Sequence, residues 1–185
     1  MIIKDGSGNG YTLRVNKENR ANVDSVIRPF DQHINEVYEK AFSLTWDAID
    51  PVGADDYFFY IENTGTKDLH LEDIKVRSTV AGSVELHRVT GTPSYTSDTD
   101  VTPVNRYLGS AKTITATIKT DTNTTGLTNA GVLDYIRCAV VDTDYMVEIS
   151  SHIIIPPGEK FALLWDAATG ALSGSITIYE DQGVV

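Results

Sequence analysis

From Tyr57 onward, apolar and polar positions alternate in short runs with turn residues between them. "YFFYIEN" (57–63) passes through "TGTKD" into "LHLEDIKVRS" (69–78); runs of this length bounded by Gly, Asn and Asp read as strands joined by turns. "SVELHRV" (83–89) keeps Val84 and Leu86 in one phase and reaches Val89 only after a slip. "TITATIK" (113–119) alternates Thr with Ile and Ala, the pattern of a half-buried strand. "YMVEIS", "HIIIP", "EKFALLW" (159–165) and "GSITIYE" (174–180) then follow in close succession. Pro156-Pro157-Gly158 predicts a rigid turn, because proline presets φ and glycine accepts a positive one. Eight or more short strands without helical patterns between them predict an all-β sandwich or barrel.

Four segments depart from that alternation. "DQHINEVYEKAF" (31–42) sets Ile34, Val37, Tyr38, Ala41 and Phe42 at helical spacing behind Pro29 and a capping Asp31; the local pattern favours one short helix and the all-β context favours a strand, and both readings stay open at this point. The stretches 90–112 and 120–131 are long, polar and rich in Thr, and read as loops. Residues 1–30 show no apolar face beyond "YTLRV" and "ANVDSVI", as expected of an N-terminal arm ordered by a partner. The expected division is therefore an arm over 1–30 and a β-domain over 31–185.

Bulk composition narrows the function classes. The chain has 185 residues, 41% hydrophobic and 22% charged, and a net charge of −11. That is enough chain to bury a core, and its acidity repels phosphate backbones, so no nucleic-acid partner is expected. No apolar run reaches membrane-span length, and the start lacks the apolar region of a signal peptide. A protein folded in a reducing cytoplasm, with no membrane partner, is the expectation. Cys138, the one cysteine, sits in apolar "IRCAVV" and reads as a buried structural thiol.

Candidate chemistry thins out on inspection. Gly6, Gly8 and Gly10 suggest a phosphate cradle, but their G-x-G-x-G spacing leads into the strand-like "YTLRV" rather than a helix N-terminus. Asp121, Asn123 and Gly126 match three positions of a calcium loop, yet Val132 stands where a bidentate Glu is required. His33, His70, His87 and His152 show no zinc spacing, and there is no G-x-S-x-G elbow. Trp46 and Trp165 end apolar runs; Trp165 reads as core, and either would serve a sugar site only if exposed. The expectation is a non-enzyme with no cofactor and no metal.

Three stretches in order, "IKDGSGNGYTLRVNKENRANVDSV", "TPVNRYLGS" (102–110) and "IIIPPGEKFALLW" followed by "ITIYED", resemble small virion proteins of tailed bacteriophages. In that family a D-G-x-G segment, a short strand and a V-N/D-x-x-N-R motif precede a β-sandwich, and a late P-P-G turn leads into its last strands. The matching residues are Asp5, Gly6, Gly8, Val15, Asn16, Asn19 and Arg20, then Pro156, Pro157 and Gly158. The segment at 33–42 departs from the family, where an extended stretch would be expected. The resemblance implies a jelly-roll-like antiparallel β-sandwich behind an extended arm, acting as a capsid decoration protein. It further implies a major capsid protein as partner, self-assembly into a homo-oligomer (often a trimer), and a place on the outer capsid surface after assembly in the host cytoplasm. Ile2, Ile3, Tyr11, Leu13, Val15 and Arg20 are then the expected capsid-binding residues of the arm. A tail or fibre component using the Thr-rich loops, and a carbohydrate-binding sandwich, are the rival readings.

Overall fold

The computed structural model describes residues 34–167 and 169–181, without the side chains of 34 and 147–152. The predicted arm, 1–30, lies outside the described residues. Eight principal strands, β1 (Ala41–Ile49), β2 (Asp56–Glu62), β3 (Leu69–Ser78), β4 (Gly82–Ser94), β7 (Thr117–Cys138), β8 (Asp144–Ile155), β9 (Lys160–Trp165) and β10 (Leu172–Glu180), are joined by two-residue strands β5 (Thr99–Asp100) and β6 (Val104–Asn105). They form two antiparallel sheets of order β6-β1-β10-β3-β8 and β2-β9-β4-β7-β5. With the two short strands set aside, consecutive principal strands switch sheet at every step except β4 to β7, which stay in one sheet; this is jelly-roll connectivity.

Alternation explains the core. Phe42, Leu44 and Trp46 on β1 and Phe59 and Ile61 on β2 point between the sheets with Leu163 and Trp165 of β9. Trp46 packs at 4.8 Å from Phe59 and 6.2 Å from Phe58, ring centre to ring centre. Both tryptophans are interior, Trp165 completely so. The phase slip in "SVELHRV" is a change of face: β4 pairs with β9 in unbroken register from Val84 to Val89, so Val84 and Leu86 point into the main core while His87 and Val89 are buried on the opposite face.

A second, smaller core explains why β7 is 22 residues long. Its first half pairs with β2 and its second with β4, so that β2, β9, β4 and β7 close on one another. Tyr57, Tyr60, Val89, Ala162 and Leu164 form the outer face of this ring, and Tyr95 and Leu127 pack over them.

Local expectations are corrected at several points. The stretch 120–131 is strand, not loop, because β-branched threonines find partners on both sides; Thr120, Asp121 and Thr124 are buried yet hydrogen-bonded or strand-paired. The strand expected at 113–119 begins only at Thr117, and "YMVEIS" and "HIIIP" are one strand, β8. In 90–112 the chain continues β4 to Ser94 and then forms β5 and β6. The helical spacing of 31–42 yields one wide turn, Ile34–Tyr38, after which β1 takes over at Ala41. Tyr38 closes on Ala41 and Tyr179; the other periodic positions, Ala41 and Phe42, are claimed by the sheet. Pro156–Gly158 is a turn, with the Glu159 N–H donating to the Pro156 carbonyl at 3.0 Å and Gly158 at φ +81°.

Candidate partner-binding surface

The expected arm residues Ile2, Ile3, Tyr11, Leu13, Val15 and Arg20 lie outside the described residues. What the structure does place is the stretch just before β1, called the arm root below. Glu39, between the helical turn and β1, sits at φ +57°, a conformation that costs a non-glycine residue about 1 kcal/mol or more. The mid-chain "TPVNRYLGS" stretch wraps this point. Asn105 Nδ2 donates to the Glu39 carbonyl at 2.8 Å and to the Lys112 carbonyl at 3.2 Å, and its Oδ1 accepts from the Tyr107 N–H at 2.8 Å. Ser110 Oγ donates to the Glu39 carboxylate at 2.7 Å, and the Arg106 N–H donates to the Ala41 carbonyl at 2.9 Å. Lys40 Nζ ties the Thr113 carbonyl at 2.9 Å and Glu180 at 3.0 Å.

Large apolar side chains stand exposed beside this clasp: Val37, Val104, Tyr107 and Leu108, the last 89% exposed. Three of the four fall within residues 104–108, on a chain of net charge −11. The sequence named the "TPVNRYLGS" stretch but carried no signal that it would meet residues 39–42 more than sixty positions away.

Elsewhere the candidate chemistry is used up inside the fold. Asp121, the first residue of the supposed calcium loop, accepts from the backbone N–H groups of Thr96 (2.9 Å), Ser97 (2.8 Å) and Thr122 (2.8 Å); it fixes the turn after β4. Among the described residues no three His, Cys, Asp or Glu side chains are grouped as a metal site requires. His87 is buried, its Nδ1 2.9 Å from the Tyr57 hydroxyl and its Nε2 2.7 Å from the Glu85 carboxylate. Burial, with the nearby Glu85 charge, raises the Tyr57 pKa, so this Glu-His-Tyr chain holds its phenol neutral instead of activating it. His70 stacks on Tyr179 at 4.8 Å. His33 and the side chain of His152 lie outside the described residues. Burial also pushes the Cys138 thiol up to about 11, the property of an inert thiol.

Two openings among the described residues bear on ligand chemistry. One, of about 640 Å³, is walled by Leu133, Ile153, Ile154, Pro156 and Pro157 with Arg88, Glu159 and Lys160 at its rim. The other, of about 380 Å³, lies between β1 and β5 and holds Asp47, Asp100 and four threonines. Its carboxylates are engaged: Asp47 accepts from Ser173 Oγ at 2.6 Å, and Asp100 pairs with Lys119 at 3.0 Å. Lys119 also bonds Asp98, which holds the Asp98 carboxyl below its usual range. No protein-family model, curated protein or solved structure matches this chain.

Proposed function

We propose that this protein is a non-enzymatic structural component of a tailed-phage virion, a decoration protein that binds the outer surface of the head. The observation that carries the reading is the clasp at the arm root. The second of the three family-like stretches, "TPVNRYLGS", bonds Glu39 and Ala41 at the start of β1, downstream in sequence of the first stretch. The third supplies the P-P-G turn between β8 and β9. A jelly roll serves many purposes. What favours this one is an acidic sandwich with exposed apolar side chains and a hydrogen-bonded clasp just ahead of β1. An arm ordered by its partner exchanges ordering entropy for contact area, a trade that a multivalent shell rewards. In this reading Ile2, Ile3, Tyr11, Leu13, Val15 and Arg20 lie along a major capsid subunit, and Tyr107 and Leu108 extend the contact.

The test is binding to heads. Purified full-length protein is mixed with expanded heads lacking it and sedimented, beside the variants Leu13→Asp and Leu108→Asp. Co-sedimentation of the wild type, reduced at least tenfold in both variants, is the expected result. Wild-type protein left in the supernatant, or immunogold label confined to tails of intact particles, overturns the proposal. The burial of Trp46 and Trp165 removes the platforms that a carbohydrate-binding reading had available from tryptophan.

A further inference from the structure

On one flank of the sandwich the outermost strands, β6 and β5, are two residues each, and Pro103 stands between them in sequence. Short strands and proline keep a sheet edge from recruiting another strand. The other flank lacks this protection. β8, twelve residues long, is the last strand of its sheet and pairs only with β3. The 640 Å³ opening lies against its last residues, 153–155, between the two sheets.

The floor of this groove is core. Ile155 and Phe161 are buried members of the main cluster, and Ile153 packs against it. Leu133, the residue left over at the β4–β7 bulge between Val132 and Asp134, stands half-exposed at the mouth. Arg88 lies opposite Phe161 in the β4–β9 register and so shares the inner face. Its Nε and Nη2 donate to Glu159 Oε2 at 3.2 and 3.0 Å. That pair holds the guanidinium in place and leaves Arg88 Nη1 and Glu159 Oε1 open. An N–H donor beside a carboxylate acceptor matches the C=O and N–H of a peptide backbone.

We infer that this groove takes an extended, acid-free segment of another protein, which adds as a strand to the free edge of β8 at 153–155. Strand addition draws affinity from main-chain hydrogen bonds and specificity from pockets for alternate side chains. Here the free edge supplies the first, and the apolar space over Ile155 and Phe161 supplies the second. Charge narrows the occupant. At the groove Arg88 is balanced by Glu159, and Lys160 lies 3.8 Å from Glu62. Asp134, beside Leu133, has no counter-ion among the described residues; its carboxylate accepts from the Tyr135 N–H at 2.8 Å. Asp142, Asp144 and Glu148 add further acid along the same flank. Acidic segments are therefore repelled, as is a second copy of a chain of net charge −11. Apolar residues at alternate positions, with no Asp or Glu between them, are what fits.

The test sorts a yeast-displayed library of random peptides of strand length with labelled full-length protein. Wild type should enrich peptides that carry apolar residues at alternate positions and no acid. Leu133→Lys should enrich none of them; the position is half-exposed, so the fold tolerates lysine, and circular dichroism verifies it. One enriched peptide is then synthesised and added to wild-type protein. Amide exchange at 153–155 should slow, and proline placed where a peptide N–H faces β8 should weaken binding at least tenfold. No enrichment, acid-bearing or unpatterned sequences, equal binding by Leu133→Lys, undiminished binding of the proline peptide, or unchanged exchange at 153–155 overturns the proposal. So does a stable wild-type dimer that Leu133→Lys dissociates, because a second copy then fills the groove. These measurements use isolated protein, so their failure and a failure to bind heads are separate results.

Discussion

Asn63 is fully buried just beyond β2, and removing its amide tests the claim that one polar side chain joins the two sheets at this end. Its Nδ2 donates to the Ile155 carbonyl at 2.7 Å and the Lys67 carbonyl at 2.8 Å, and its Oδ1 accepts from the Gly65 N–H at 3.0 Å. Ile155 closes β8 in one sheet while Asn63 extends β2 in the other. The backbone of Asn63 also accepts from the Gly158 N–H at 2.7 Å, so the P-P-G turn hangs on the same residue. Asn63→Leu keeps the volume and removes all three side-chain bonds. The Ile155 carbonyl is then stranded in the interior, at a cost of about 1–3 kcal/mol, while the groups at Lys67 and Gly65 reach water and lose about 0.5–1 kcal/mol each. A loss of about 3 kcal/mol corresponds to a fall in Tm of about 6–12 °C for a chain of this length. Urea unfolding followed by tryptophan fluorescence measures it, with an unchanged m-value expected because the surface exposed on unfolding is the same. A loss below about 1 kcal/mol would refute the reasoning, since it would mean that water already serves these groups.

Two further predictions concern the core and its titrating groups. Gly174 on β10 lies against the Trp46 ring and the Lys75 carbonyl with no room for a Cβ, so Gly174→Ala should cost about 1–3 kcal/mol and alter the near-ultraviolet circular dichroism of the tryptophans. Burial raises Cys138 from its ordinary 9.0 to about 11 and Tyr95 from 10.0 to about 12, and raises Tyr57 and Tyr60 as well. The unfolded chain ionises these groups first, so their contribution to stability is whole below pH 9 and is lost as pH rises through 9–12. Native protein should therefore show delayed phenolate absorbance and a thiol slow toward Ellman's reagent at pH 8. A normal tyrosine titration in folded protein would contradict the burial of these rings.

What the sequence by itself determined is the fold class, most strand positions and the turn at Pro156–Gly158. Period-2 alternation and proline–glycine chemistry act over a few residues and can be read locally. The slip before Val89 was legible too, and the structure gives its cause: Val89 faces away from Val84 and Leu86, into a second cluster. Tertiary structure decided the rest. "TDTNTTGLTNAG" looks like a loop because its polar residues show no apolar face, yet the pairing of β2 and β4 on its two halves, and the use of Asp121 by the turn after β4, make it strand. Helical spacing at 34–42 lost to strand pairing beyond Tyr38, because β10 and β6 offer Ala41 and Phe42 partners that a lone helix of that length cannot match. The clasp at Glu39 depends on residues more than sixty positions apart meeting beside β1. No local pattern encodes which distant strands become neighbours; only the closed strand order does.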